Sequence, residues 1–531
     1  MSLRNTAFPC VCLLLLLSGC AQLPEKPTLP AENSIAVGAD GKLDQVIAPA
    51  ESAHPGQSGF RLSVEGTEAF VLRAHSARLA VRTLDVQTYI WHSDTTGLYL
   101  ARELLEAADR GVRVRLLVDD MDARARNAGY AALAAHPRVE VRLFNPFASR
   151  SGALGFASES LRDFGRINRR MHNKSWIADN RIALVGGRNL GDEYFAASEE
   201  VNFVDLDFTM VGPVVRDVSR SFDHFWNSAS SWPIQVLDPD SVSPAALEKL
   251  RGKLDKRAAS PEAERYAQAL RGDDGIRRLV AGDWALRWSS NYQFVSDIPE
   301  KVHMQKKDSA RAVVGAAVGG MVRDAKTSLE VISPYFVPGQ RGATALIDRV
   351  KAGTDVRILT NSLAANDVAA VHGGYERHRR ELIKGGVKIW ELKPTNKPEP
   401  TKDIDPDEVG ETQSAPKKKG SGFKGSGASL HTKALTADGH NSFVGSYNLD
   451  PRSTWLNCEQ GVIVDEPAIA GQLEGIFKQQ TAGERAWQVK LHGHELQWTD
   501  GTQTRDSEPD ASFGRKFQAW LARTFHLDAQ L

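Results

Sequence analysis

His172-Asn173-Lys174, with Asp179 five residues past the lysine and Gly186-Gly187-Arg188-Asn189 beyond it, recurs as His431-Thr432-Lys433, Asp438 and Gly445-Ser446-Tyr447-Asn448 with every spacing preserved. One such pattern carries little weight. His, Lys, Asp, Gly and Asn at these fixed offsets arise by chance on the order of once in ten thousand chains at average residue usage, and a second copy removes coincidence. The chain reads as an internal duplication.

The segments ahead of each motif repeat as well. Thr83 to Trp91 alternates in a β-rich fashion, a helix is predicted from about Leu98 to Ala108, Gly111 offers a helix cap, and Val112 to Val118 is a strand. The second copy has Ser328 to Phe336, a helix from about Ala343 to Lys351, Gly353, and Asp355 to Thr360. Each adds a further helix and a short strand, Val139 to Phe144 and Val387 to Leu392, before its motif. Strands alternating with helices of this length predict parallel βαβ units. The expected fold class is α/β, of the α+β sandwich type. Two pseudo-symmetric halves, each a mixed β-sheet flanked by helices, would pack about a pseudo-twofold axis and share one active site.

A chain of 531 residues exceeds what one hydrophobic core usually supports, and its 41% hydrophobic and 25% charged residues are an ordinary globular balance. Lys+Arg 66 against Asp+Glu 66 gives no net charge. Nucleic acid is therefore not the expected partner, because affinity for it comes from neutralising many phosphates. At the N-terminus, Arg4 precedes an apolar run, Ala7 to Leu17, too short to span a bilayer, and Leu17-Ser18-Gly19-Cys20 follows. That tetrad resembles the lipobox of bacterial lipoproteins, so residues 1–19 read as a signal peptide and Cys20 as the lipidated residue. Residue 21 is Ala and not Asp, which by analogy with lipoprotein sorting places the protein on the periplasmic face of the outer membrane. Cys10 and Cys12 leave with the signal, and only Cys458 remains in the body. No intrachain disulfide and no Cys-based zinc site can form, no HExxH or clustered His/Asp pattern is present, and neither metal nor cofactor is expected.

The remaining divisions follow composition. Residues 20–60, rich in Pro, Gly and Ala, read as a flexible tether; 61–227 and 302–485 as the two halves; 228–301 as a polar, partly helical connector; 486–531 as a C-terminal extension. The low-complexity run 395–427, with Lys417-Lys418-Lys419, reads as a mobile loop, either a lid or basic contact for lipid headgroups or an insertion without a role. In the extension Phe517, Trp520, Leu521 and Phe525 share a helical face beside Arg515, Lys516 and Arg523. That face fits either a membrane interface or docking on the protein's own core.

The motif residues suit phosphoryl chemistry. His and Lys at i and i+2 of an extended segment point the same way, so each copy presents an imidazole beside an ammonium. Two copies around one phosphate allow one neutral imidazole to attack phosphorus, giving a phosphohistidine, while the other donates a proton to the departing oxygen. Lys174, Lys433 and the amides of Asn189 and Asn448 would bind the non-bridging oxygens, work a metal does elsewhere. A coupled pair of histidines is expected to rest with one ring charged and one neutral near pH ~7. Each ring needs a partner on its other nitrogen. Aligning the Pro213 and Pro467 regions sets Asp205 against Glu459, and both are candidates for orienting the histidines. Asp179 and Asp438 complete the catalytic motif, their carboxylates better suited to holding backbone than to reacting.

These paired motifs resemble the phospholipase D superfamily. Asp163 to Lys174, Tyr335-Phe336-Val337-Pro338, Leu359 to Val368 and Asp450-Pro451-Arg452-Ser453-Thr454 are similar to the cardiolipin synthase C type of bacterial enzymes, from about residue 60 to about 500. The resemblance implies that His172 is the nucleophile and His431 the acid, that a phosphatidyl group is transferred at a membrane surface, and that phosphatidylglycerol, with phosphatidylethanolamine as another donor, is the substrate. Phospholipase D hydrolysis to phosphatidic acid uses the same intermediate, and a metal-independent nuclease the same residues. Motif residues do not separate these outcomes.

Overall fold

The computed structural model describes residues 22–150, 159, 162–199, 201–271, 275–281, 284–305, 308, 312–394 and 429–524. The signal 1–19, Cys20, the loop 395–427 and Phe525 lie outside the described residues.

The first sheet takes, in chain order, β1 (Ser58–Ser63), β2 (Thr83–Thr88), β3 (Arg113–Asp119), β4 (Val139–Phe144), β5 (Ser175–Ala178) and β6 (Ile182–Gly186). β7 (Phe203–Val204) leaves it, and β8 (Asp207–Val211), β9 (Ser231–Pro233) and β10 (Arg287–Ser289) complete it. The second takes β11 (Tyr292–Ser296), β12 (Ser328–Ile332), β13 (Asp355–Asn361) and β14 (Lys388–Leu392); past β15 (Ser429–Leu430) come β16 (Ala434–Ala437), β17 (Asn441–Gly445), β18 (Gln460–Asp465), β19 (Ala486–His492), β20 (Glu495–Thr499) and β21 (Thr504–Arg505). The strand orders are β10-β1-β8-β6-β5-β2-β3-β4-β9 and β11-β18-β17-β16-β12-β13-β14-β19-β20-β21. From β1 and from β11 onward they match strand for strand up to β9 and β19, so the duplication seen in the motifs extends to topology.

The parallel triplets β2-β3-β4 and β12-β13-β14 carry the apolar runs. Val86, Leu116 and Val141 lie in register and join a core with the helices Gly66–Leu79 and Thr95–Asp109; Val331, Ile358 and Ile389 repeat the arrangement. Gly111 and Gly353, at φ 96° and 98°, turn the chain from helix to strand in the left-handed region that glycine enters without penalty. On the other side the sheets meet. Leu117, Ile177 and Phe208 share one core with Leu359, Val444 and Val462 and with the helices Pro213–Trp226 and Pro467–Gln480.

Three expected divisions are corrected. From residue 22 the tether is laid against the first half. Lys26 Nζ donates to Ser228 O at 2.7 Å and Ser34 N to Asp223 Oδ2 at 2.8 Å, while Leu43 and Ile47 of the helix Lys42–Ala53 are buried and Asp44 binds Arg82 and Arg181. Two apolar anchors and one buried ion-pair centre decide this, and bulk composition hides them. The connector supplies strands to both sheets: β10 pairs with β1, and β11 pairs with β18, so the second repeat begins at β11 and not at residue 302. The extension continues the second sheet through β19 on β14. Its last helix, Phe513–Thr524, turns Ala519 and Ala522 inward and leaves Phe513, Phe517 and Trp520 84%, 49% and 46% exposed. It packs on the helix Ala369–Lys384, close enough that a Cβ on Gly373 would fall 2.3 Å from Ala519 O. The inward face is thus made of alanines, and the aromatic side is exposed among the described residues.

Candidate active site

His172 lies just before β5 and His431 just before β16, at the ends of strands that abut the triplets in each sheet. Within its own half each is approached by a polar residue closing the middle parallel strand. Asp119 accepts from Arg170 Nε at 2.7 Å and from Met171 N at 2.8 Å; Asn361 exchanges two 3.0 Å bonds with the backbone of Leu430. The residue before each histidine is thereby fixed.

The second support comes from the opposite half. His172 N donates to Cys458 O at 2.8 Å, and His431 N to Val204 O at 2.9 Å, where β7 and β15 pair in parallel. The next residue along, Glu459 or Asp205, then meets the imidazole. Glu459 Oε2 is 2.8 Å from His172 Nδ1, and Asp205 Oδ2 is 2.6 Å from His431 Nδ1. Both carboxylates are fully buried, and each histidine side chain is 12% exposed. With Nδ1 turned to a carboxylate, Nε2 is the nitrogen left for chemistry. Close approach is managed differently in the two halves. A Cβ on Gly187 would fall 2.2 Å from Asp205 Oδ1, whereas Ser446, its counterpart, donates its hydroxyl to Glu459 Oε2 at 2.5 Å.

Lys174 and Lys433 fold back to donate to the carbonyls of His172 and His431. Burial lowers Lys174 to about 7 and Lys433 to about 8, against the pull of Glu459 and Asp205. Burial likewise lowers His172 to about 4, with Lys174 and Lys433 adding to it and Glu459 opposing; His431 is lowered by burial and by the same two lysines, with Asp205 opposing. Burial alone would raise Glu459 and Asp205, but the imidazoles and lysines beside them bring both below their ordinary values. Each lysine therefore acts on the imidazole of the other half, as it must where the two motifs face one space. The expected resting state has one ring charged; burial and the two lysines disfavour the charge on both rings, with Glu459 and Asp205 opposing.

The remaining motif residues divide. Asn189 Nδ2 donates to Tyr194 OH at 2.8 Å and its Oδ1 accepts from Ile90 N at 3.2 Å, so much of this amide is used within the fold; Asn448 Oδ1 is buried without a hydrogen-bond partner among the described residues. Asp179 and Asp438 sit at the far ends of β5 and β16, seven residues and roughly 20 Å of extended chain from the histidines. Asp179 accepts from the amides of Val81, Arg82 and Thr83 at 2.8–3.0 Å, and Asp438 from those of Lys326, Thr327 and Ser328 at 2.7–3.2 Å. Both belong to the catalytic motif by sequence, and in the fold their carboxylates fasten the starts of β2 and β12. Sequence reasoning missed the aromatic walls. Tyr89 lies edge-on to His172 at 5.1 Å, and Tyr194 and Phe203 lie 5.3 and 5.2 Å from His431. Nothing in the spacing marks these three, because each reaches its ring through the fold.

Shared evenly between two repeats and furnished with its own cations, this centre suits attack on a phosphodiester, and the fold around it defines a phosphotransferase of phospholipase D-like build. The family described as "Cardiolipin synthase, PLD-like domain" matches residues 74–226 and 320–481, and the chain belongs to it. The chain is 38% identical over 489 residues to cardiolipin synthase C of Escherichia coli, covering 91% of this chain and 98% of that one. It is 26% identical over 444 residues to cardiolipin synthase A of Pseudomonas fluorescens, covering 82% and 72%. The crystal structure of phosphatidylserine synthase from Haemophilus influenzae matches with a TM-score of 0.56 at 13% identity, covering 91% of this chain and all of that one, a likeness of fold.

Proposed function

We propose that the protein joins two phospholipids into cardiolipin by phosphatidyl transfer through a phosphohistidine on His172. The single observation that carries this reading is the exchange of carboxylates between the halves, which leaves both Nε2 atoms available for chemistry in a site where each lysine acts on both imidazoles. His172 Nε2 attacks the phosphorus of phosphatidylglycerol. The bond from phosphorus to the headgroup oxygen breaks, and protonated His431 gives its Nε2 proton to that oxygen, releasing glycerol. The headgroup hydroxyl of a second phosphatidylglycerol then loses its proton to His431 and attacks phosphorus, the N–P bond breaks, and cardiolipin leaves. Lys174 and Lys433 hold the non-bridging oxygens, with Asn189 and Asn448 beside them, while Glu459 and Asp205 fix the ring tautomers. Phosphatidylethanolamine serves as a donor in the same first step.

The lipid substrate places the protein at a membrane surface. Among the described residues no helix is long and apolar enough to cross a membrane. Attachment is read instead from lipidated Cys20, on the periplasmic side of the outer membrane, and from exposed Phe513, Phe517 and Trp520, a face of the kind that inserts at the headgroup boundary.

The test is to supply purified protein with headgroup-labelled and acyl-labelled phosphatidylglycerol in vesicles. Cardiolipin and free glycerol in equal amounts are expected. Phosphatidic acid without cardiolipin would instead assign hydrolysis, with water resolving the same intermediate.

A further inference from the structure

One buried cluster is left over by the transfer chemistry. His372 and Glu376 stand four residues apart on one face of the helix Ala369–Lys384, and Glu508 joins them from the C-terminal segment between β21 and the helix Phe513–Thr524. The His372 side chain is 1% exposed, and among the described residues neither ring nitrogen has a hydrogen-bond partner within ordinary distance. Its Nε2 lies 3.9 Å from Glu376 Oε1 and 3.7 Å from Glu508 Oε2, separations too long for hydrogen bonds. Glu508 Oε2 is itself buried and without a hydrogen-bond partner among the described residues.

Each glutamate uses its other oxygen on an arginine. Arg379 Nη2 donates to Glu508 Oε1 at 2.6 Å and Arg523 Nη1 to Glu376 Oε2 at 3.3 Å. One nitrogen and two carboxylate oxygens are thus left facing a common point, all within 4.8 Å of one another. Buried polar atoms in that state are uncommon and costly. Ligands about 2.0–2.2 Å from a tetrahedral zinc ion stand roughly 3.4 Å apart, so the two separations from His372 would contract by a few tenths of an ångström and the two glutamate oxygens would close from within 4.8 Å. The charge also fits. Arg379 is shared with Glu391, so with His372 neutral, as a metal ligand must be, three carboxylates face two guanidinium groups and the cluster carries a negative charge.

We propose that His372 Nε2, Glu376 Oε1 and Glu508 Oε2 bind a divalent cation of the zinc type, with water in the fourth position, and that this ion staples the C-terminal segment to the second half. One imidazole with two carboxylates suits zinc, cobalt or manganese better than calcium, which takes oxygen ligands alone. Linear spacing gave no sign of such a set, because its third ligand comes from a segment far along the chain. The ion is structural and takes no part in the phosphoryl steps.

The test uses the full chain in a His172→Ala/His431→Ala background, which removes the active-site imidazoles as competing ligands. After EDTA treatment and dialysis, zinc chloride is added and the metal retained through gel filtration is measured, with cobalt(II) as a spectroscopic stand-in. About one zinc per chain is expected, with a tetrahedral cobalt band in the visible. Glu508→Gln and His372→Gln should each weaken retention by on the order of tenfold or more, and zinc should protect the C-terminal segment from trypsin only where Glu508 is intact. If His372→Gln fails to fold, Glu508→Gln, which alters only the added segment, carries the comparison. Zinc retained equally by parent and variants, or by none of them, would overturn the site and leave His372 as a protonated partner of the two glutamates.

Discussion

Glu459 of the second half holds Nδ1 of His172 in the first at 2.8 Å, and Asp205 of the first half returns the contact to His431 at 2.6 Å. Replacing Glu459 by Gln keeps the shape but lets the imidazole settle in the wrong tautomer. The expected result is a fall in turnover on the order of 10²–10⁴-fold with the fold intact. In single-turnover runs with labelled lipid and an alkaline quench, Glu459→Gln should slow the appearance of labelled protein, and its dependence on pH should shift. Asp205→Asn should slow proton delivery to the leaving oxygen. Rates within about threefold of the parent would take the carboxylates out of the chemistry.

The lysines predict a pH dependence of the same sign as that of an ordinary exposed ammonium, but in a much lower pH window. Burial sets Lys174 at about 7 and Lys433 at about 8, so in the empty site their charge is lost as pH rises through that window. A bound phosphodiester anion favours the charged forms, so binding takes up protons and weakens as pH rises. Titration calorimetry with glycerophosphoglycerol, whose phosphodiester does not itself titrate here, should show affinity falling roughly tenfold or more between pH ~6.5 and ~9. Lys174→Met should flatten the slope and weaken binding throughout. A flat profile in the parent protein would mean both ammonium groups stay charged.

Asp179 and Asp438 should answer to stability and not to rate. Both sit at positive φ, 51° and 56°, and both collect backbone N–H groups at the start of a central strand. Asp179→Ala leaves three donors unmet and puts alanine in the left-handed region, a loss of about 1–3 kcal/mol. Asp179→Asn, which tolerates that backbone and keeps one acceptor, should recover much of it. Thermal melts measure the difference. Turnover per folded molecule should stay within about twofold, and a hundredfold loss in a stably folded variant would return the aspartate to the chemistry.

Phe517 and Trp520 stack at 5.8 Å on the free side of the last helix. Phe517→Ala with Trp520→Ala removes about 300 Å² or more of aromatic surface without touching Ala519 or Ala522. Sedimentation with phosphatidylglycerol vesicles should drop several-fold. Turnover of a short-chain, water-soluble phosphatidylglycerol should not change, and unaltered vesicle binding would assign the face another use.

Much of this was legible in the residues. Val139 to Phe144 recurs as β4 without change, Gly111 and Gly353 turn the chain as expected, and the paired motifs locate both histidines, because period-two alternation and glycine caps are local properties. Asp205 and Glu459 emerged from aligning the repeats, yet their exchange between halves did not, since it depends on how two sheets dock. The helix Lys42–Ala53 was hidden by the composition around it: Leu43, Ile47 and Asp44 count for little in an average over forty residues, although they decide where that segment lies. Tyr89 and Phe203 gave no signal for the same reason as the exchange. Their partners are chosen by tertiary packing.

A repeat standing alone would hold an imidazole with nothing to orient it and a carboxylate with nothing to orient. Activity therefore belongs to the pair, and an unfused version of this architecture would work only as a dimer, idle whenever dilution separated its subunits. Covalent linkage replaces that dependence with a fixed local concentration. It also frees the copies to drift apart, as glycine with aspartate on one side and serine with glutamate on the other already record.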